Sequence, residues 1–258
     1  VSEEKSVQLS VDTDGIATIT MNRPQAFNSM NQELLSSMLT TVLAAGDDPN
    51  VRIVVIRANG AAFCGGGDLK AMSDDIDHIE SAVGFFIDTA NALVLAMRRL
   101  RVPIICSVNG AAAGGGFSLA IGGDFVVASE SSRFVIAYSK IAVSPDAGLS
   151  YFLTERLGPW RAMEALLLRT HFTAAEMKEL GIVHSIAPDA QLDAATMALA
   201  KQIAQLPPTM CSEVKRLVNE LADDHLGQQM SRERFGFIRC TGSNDFKQRL
   251  HAFLSKQR

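Results

Sequence analysis

Pro103-Ile104-Ile105-Cys106-Ser107-Val108-Asn109-Gly110-Ala111-Ala112-Ala113-Gly114-Gly115-Gly116-Phe117-Ser118-Leu119 is the stretch that decides how this chain folds. An apolar run long enough for one buried strand gives way to small residues and three consecutive glycines, then to helix-like sequence. The same order occurs earlier, in the β-branched run Val51 to Arg57 followed by Ala62-Phe63-Cys64-Gly65-Gly66-Gly67-Asp68-Leu69-Lys70. Glycine carries no Cβ, so in both turns backbone N–H groups can come close to a ligand. Two N–H groups converging on one point make an oxyanion hole, which stabilises charge developing on a carbonyl oxygen. Taken singly, each turn reads equally as a tight strand-to-helix connection. As a pair they point to activation of a carbonyl compound.

Working outward, Val7 to Val11 and Ile16 to Met21 alternate apolar and polar residues around Asp12-Thr13-Asp14-Gly15, the pattern of a β-hairpin. Leu34, Leu35, Met38, Leu39, Val42 and Leu43 recur at helical spacing and predict a helix from Asn31 to Ala45. A long helix is expected from Ile76 to Leu100, and buried strands at Pro103 to Val108 and Asp124 to Ala128. Strands that alternate with helices and read as continuous apolar runs indicate a parallel α/β sheet covered on both faces. After Ser144 the pattern turns helical, interrupted by one short strand at Ile182 to Ile186. The expected organisation is an α/β core over residues 1–200 and a helical region over 201–258. The Asp-rich stretch Met72 to Val83 is expected to be mobile and to gate the acyl site.

With 258 residues and 47% hydrophobic composition, the chain can bury one large core. The net charge of −4, with both signs interspersed, leaves no basic stripe, which argues against a nucleic-acid partner. No apolar run is read as long enough to span a bilayer, and the polar start Val1-Ser2-Glu3-Glu4-Lys5 does not read as a signal peptide. Cys64, Cys106, Cys211 and Cys240 show no paired metal-ligand spacing, and reduced thiols in a cytoplasmic setting are expected. The five histidines form no metal pair and no triad with a serine. No metal is expected.

The order of motifs resembles the crotonase (enoyl-CoA hydratase/isomerase) superfamily. The matching stretches are Met21-Asn22-Arg23-Pro24, Asn28-Ser29-Met30-Asn31, the two glycine turns, Gly123-Asp124-Phe125, Ser132-Arg133-Phe134 and Pro145-Asp146-Ala147-Gly148. The resemblance implies a crotonase-like ββα spiral core with a helical C-terminal region. It also implies acyl-CoA thioesters as ligands, with coenzyme A as part of the substrate and no resident cofactor, and assembly as homotrimers or dimers of trimers. It places Gly65 and Gly115 where the family's oxyanion N–H donors lie. Arg23, Ala26, Ala62, Asp68 and Leu69 fall in segments that line the family's CoA site, and Phe246 and Lys247, with Phe253, in a C-terminal helix that reaches toward CoA. Arg23 and Lys247 also read as ordinary solvated charges, and Asp68 as a helix cap.

Hydratases of the family use two glutamates as acid and base. At the corresponding positions this chain holds Ser118 and Tyr138, neither of which is a carboxylate. Efficient two-glutamate hydration is therefore not expected, and both residues read as pocket lining. One carboxylate remains, Asp146, at the position where isomerases of the family carry an acid. The run Phe134-Val135-Ile136-Ala137-Tyr138-Ser139-Lys140 followed by Pro145-Asp146 closely resembles the 1,2-epoxyphenylacetyl-CoA isomerase subgroup, although the continuation Ala147-Gly148-Leu149-Ser150-Tyr151 departs from it. The reading favoured is an enoyl-CoA isomerase in fatty acid or related acyl-CoA metabolism. A single base suffices there, because one group can move a proton between two carbons. A free aspartate, with pKa near 3.9, is a weak base, and an apolar pocket would raise it. Asp146 also reads as an N-cap. Alternatives are a weak hydratase with Asp146 activating water, a dehalogenase-like enzyme with Asp146 attacking covalently, and a non-catalytic acyl-CoA-binding protein. A nucleotide-binding reading fits least, since neither glycine turn is a phosphate loop.

Overall fold

The computed structural model describes residues 5–73, 79–223 and 225–255. Its main sheet has six strands: β1 (Val7–Val11), β2 (Ile16–Met21), β3 (Ile53–Ala58), β4 (Ile104–Val108), β6 (Phe125–Ser129) and β9 (Ser185–Ala187), paired in that order. The β1–β2 hairpin is antiparallel and every later neighbour pair is parallel. Such strands must be covered on both faces, and the residues alternate accordingly. Ala17, Ile19, Val54, Ile56 and Cys106 enter the large core beneath helices α1 (Gln32–Asp47), α3 (Ile79–Arg99) and α4 (Gly115–Ile121). Ile16, Ile53, Val55, Ile105 and Val127 face the other way, onto Leu192, Ala200 and Ile203 of helix α8 (Leu192–Ala204). Helix α8 runs across the expected boundary at residue 200.

Helix α1 starts where the periodicity places it because the Asn31 side chain accepts the Leu34 N–H at 2.9 Å. Helix α3, 21 residues long, meets the length and composition of a bilayer span, although no such run is evident on reading the sequence. Val83, Phe86, Ile87, Ala90, Leu93, Val94 and Met97 are buried in the core, as expected of a core helix of a globular domain. The middle of the expected gating stretch, residues 74–78, lies outside the described residues. The strand expected over Ile182 to Ile186 is shifted toward the C-terminus. Ile182 and Val183 instead donate to the Met177 carbonyl, closing the end of helix α7 (Ala174–Glu179).

A second sheet of three short strands is not evident from the sequence pattern: β5 (Ala111–Ala113), β7 (Arg133–Val135) and β8 (His171–Thr173). Three residues are too few to show a period. This sheet matters most for the site, because it brings the two glycine turns together. Cys64 donates to Ala111 O at 3.1 Å and accepts from Ala113 N–H at 2.9 Å, so the first turn lies along β5 like an added strand. On its other side Met30 N–H donates to Gly66 O at 2.7 Å and Asp68 N–H to Met30 O at 2.9 Å. Gly66, at φ +93°, could not carry a side chain, since a Cβ would lie 2.7 Å from Ala113 O.

The helical region is fastened to the sheet by a buried ion pair. Lys215 of helix α9 (Pro208–Asp223) reaches Asp124 at 2.8 Å and also donates to the carbonyls of Met97 and Val102, each at 2.9 Å. Asp124 in turn accepts the Ile104 N–H at 2.8 Å. Removing one partner of a buried pair leaves the other charge uncompensated. Lys215→Met should therefore destabilise the protein by about 3 kcal/mol, measured as a lowered urea midpoint. An unchanged midpoint would show that the pair contributes nothing to stability.

Candidate active site

The chain turns into the site at Gly114 (φ 52°), after which α4 begins with Gly115 as its first residue, whose N–H has no partner within the helix. A Cβ at Gly115 would lie 2.6 Å from Met30 Cε, so the end of that side chain would have to shift, and 3.6 Å from Asp146 Oδ1. Asp146 approaches from the turn leading into helix α5 (Leu149–Leu157) and is 5% exposed. Its carboxylate accepts a 2.6 Å hydrogen bond from the Tyr138 hydroxyl, which is itself 5% exposed. The Ser118 hydroxyl donates to the Asp146 carbonyl at 3.0 Å, fixing the backbone from α4.

These contacts set the chemistry of Asp146. Burial pushes its pKa up to about 7; the Tyr138 hydrogen bond opposes the rise and the negative charge of Glu233 adds to it. Tyr138 is pushed well above the usual phenol range by burial and by the neighbouring carboxylate, so it serves as a donor. Cys64, adjacent to Gly65, is pushed up to about 12 by burial, which removes it as a nucleophile near neutral pH.

A cleft of about 740 Å³ opens in front of this group. Of the residues expected in the site, Gly65, Gly115, Asp146, Tyr138, Arg23, Ala26, Asp68, Leu69 and Phe253 line it. Arg23 and Asp68 form an ion pair at 3.1 Å, each side chain 17% exposed, and Arg23 also donates to the Ser29 carbonyl. Asp68 Oδ1 accepts the Ala71 N–H at 3.2 Å, so it also caps the short helix α2 (Leu69–Ser73).

Four expected binding residues stand elsewhere. Ala62 is buried with its carbonyl bonded to Asn28 Nδ2 at 2.9 Å. Ser118 lies behind Asp146 and is fully buried, supporting the backbone instead of lining the cleft. Phe246 packs inward, 3% exposed, and Lys247 points to solvent, because helix α11 (Asn244–Ser255) presents Phe253 to the cleft.

Gly65 lines the cleft with its N–H already engaged, donating to the Phe27 carbonyl at 2.9 Å. The holding loop is strained, with Phe27 and Asn28 both left-handed at φ 51° and 52°. Tertiary packing alone reveals the remaining lining residues, Phe27, Phe86 and Phe237 among them, which give the cleft an aromatic wall. A smaller cavity of about 450 Å³ between α5, α8 and α9 holds none of the expected residues.

The profile of the family described as "Enoyl-CoA hydratase/isomerase" matches residues 12–258. The chain belongs to that family, and it is an acyl-CoA enzyme of the hydratase/isomerase type with the crotonase fold. Among its relatives is the "1,2-epoxyphenylacetyl-CoA isomerase" of Escherichia coli (strain K12), 33% identical over 94% of this chain and 93% of that protein. Another is "4-chlorobenzoyl coenzyme A dehalogenase-2" of an Arthrobacter species, 29% identical over 100% of this chain and 94% of the relative. A solved enoyl-CoA hydratase from Mycobacterium avium subsp. paratuberculosis K-10 superposes with a TM-score of 0.88 at 27% identity, covering 97% of this chain and 100% of the other.

The raised carboxyl carries a stability cost. Folding lifts the pKa of Asp146 from 3.8 to about 7, so the native state binds more protons across that interval and loses stability as pH rises through it. Asp146→Asn keeps an oxygen for the Tyr138 hydroxyl and removes the ionisation. Its melting temperature should fall less than wild type between pH 4 and pH 8. At pH 8 the variant should be more stable by roughly 1–3 kcal/mol, read by calorimetry. Parallel melting profiles would contradict a buried, titrating Asp146.

Proposed function

We propose that the protein is an enoyl-CoA isomerase that shifts a double bond with Asp146 as its only acid/base. The observation that carries this reading is the buried Asp146 carboxyl, held by Tyr138 and raised to about 7, standing against Gly115 at the mouth of α4. Asp146 removes the α-proton of a 3-enoyl thioester, negative charge passes to the thioester oxygen, and the same carboxyl returns the proton at C4. Gly115 supplies one N–H to that oxygen. Gly65 supplies the second once its bond to the Phe27 carbonyl opens or is shared. Losing one such donor lowers the rate by about 10²–10³. The Phe86, Phe237 and Phe253 wall sheds water from the acyl group, which strengthens each of these interactions.

The two family glutamate positions hold Ser118 and Tyr138, both committed to Asp146, and among the described residues the other carboxylate lining the cleft, Asp68, is tied to Arg23. A dehalogenase-like reading gains nothing from the only tryptophan, since Trp160 is 89% exposed on helix α6 (Pro159–Leu168). We assign that exposed face (Trp160, Met163, Leu167 and Leu168) and the face of α9 carrying Val214, Leu217 and Val218 to contacts between copies. A trimer or dimer of trimers should appear in sedimentation, and a monomer would overturn the assignment. Four free cysteines fit a reducing cytoplasmic setting.

The test compares a 3-enoyl-CoA with its 2-enoyl isomer, using wild type and Asp146→Asn, with products separated by chromatography. The expected result is conversion of the 3-enoyl to the 2-enoyl thioester without 3-hydroxyacyl product, lowered at least about 10³-fold in the variant. Because Asp146 must be ionised to accept the proton, kcat/KM should rise with pH through a midpoint near 7. Accumulation of 3-hydroxyacyl-CoA would replace the isomerase by a hydratase. Binding without turnover, unaffected in the variant, would indicate an acyl-CoA-binding protein.

A further inference from the structure

Glu233 of helix α10 (Leu226–Thr241) is a carboxylate 5% exposed, far in sequence from both glycine turns. A buried carboxylate is costly unless its oxygens are filled, and its partners come from the turn into α5 and the first residues of that helix. Glu233 accepts the Gly148 N–H at 2.7 Å, the Ser150 N–H at 2.9 Å and the Ser150 hydroxyl at 2.5 Å. Gln229, one helical turn earlier, donates to the same hydroxyl at 2.9 Å. This turn begins at Asp146. It contains two consecutive left-handed residues, Ala147 at φ 52° and Gly148 at φ 86°, and the first carries a Cβ that disfavours that conformation. Helix α5 has no side-chain cap of its own at Gly148, so its open N–H groups are met from another helix.

We propose that Glu233 is a positioning residue for Asp146, its carboxylate holding the turn 146–150 in the strained form that presents the Asp146 carboxyl to Gly115. The proposal rests on the one-base reading above. Asp146 is then held on two sides, by Ser118 from α4 and by Glu233 from α10, while Tyr138 fixes the carboxylate itself. Helix α10 packs directly on the turn: a Cβ at Gly148 would lie 3.1 Å from Met230 Cε. The same helix carries Phe237 into the cleft wall, and Arg234 ties it to Asp88 of α3 at 2.5 and 2.9 Å. One helix thus sets both the wall of the acyl site and the aim of its base. The groups facing Asp146 are Tyr138 from the turn 138–140, Ser118 from α4 and Glu233 from α10. Of these, Glu233 brings a negative charge that raises the proton affinity of Asp146.

Glu233→Gln keeps the volume, removes the charge and places an amide where acceptors are needed. Three readouts separate positioning from simple support of the fold: the urea midpoint, the ¹³C titration of Asp146 in the ligand-free protein, and the division of the kinetic effect between kcat and KM. The Asp146 resonance is assigned by its loss in Asp146→Asn. The expected result is an Asp146 midpoint below the wild-type value of about 7, with kcat lowered about tenfold to a hundredfold and KM within about threefold. If Glu233→Gln does not fold, Glu233→Asp carries the test. It keeps the charge and shortens the reach by one methylene, so kcat should fall while the midpoint stays near wild type. A midpoint unchanged in Glu233→Gln, with kcat within about twofold of wild type, would overturn the proposal. If wild type shows no Asp146-dependent isomerisation, the one-base reading fails, and the titration alone then decides whether Glu233 governs Asp146.

Discussion

The site depends on keeping one carboxyl out of water. An exposed aspartate is too weak a base to take a proton from carbon near neutral pH, and an unsupported buried one simply stays protonated. Asp146 sits between these limits. Burial lifts it to about 7, and the Tyr138 hydroxyl at 2.6 Å keeps the rise moderate by favouring the anion. Much of the surrounding structure serves that balance. Gly115 lacks the Cβ that would strike Met30, Ser118 holds the Asp146 carbonyl, and Glu233 fills the open N–H groups of the following turn.

On the proposed one-base reading, Ser118 and Tyr138, which the resemblance sets at the positions of the family's two glutamates, act in the same direction. Both hydroxyls contact Asp146: Tyr138 donates to its carboxylate and Ser118 to its main-chain carbonyl. Two carboxylates close together would compete for a proton, each raising the other. A hydroxyl and a phenol supply hydrogen bonds without a second charge, which suits chemistry that shuttles a single proton.

The parts legible in the sequence were those with local signatures. The hairpin, α1 with its Asn31 cap, and the apolar strands β3, β4 and β6 announce themselves by period and composition. Asp146, Gly115 and Tyr138 stand in the contiguous stretches that carry the family resemblance, and all three line the cleft. What stayed hidden required knowing which segments meet. Three-residue strands such as β5 show no period, yet β5 aligns the two glycine turns. The C-terminal helix has two phenylalanines seven residues apart, and only its docking decides that Phe253 meets the cleft while Phe246 packs inward. Glu233 reads in sequence as one more charge on an amphipathic helix, and no motif ties it to a turn more than eighty residues earlier. The engagement of the Gly65 N–H with Phe27 is likewise a property of tertiary packing.

The most direct test of a single shielded base is the fate of the proton it moves. A 3-enoyl-CoA deuterated at C2 would be turned over once in ordinary water, and the C4 position of the 2-enoyl product analysed by mass spectrometry. A buried Asp146 acting alone should carry part of the deuterium from C2 to C4 before solvent exchanges it. Product whose added C4 hydrogen comes entirely from water would contradict a one-base shuttle shielded in this cleft.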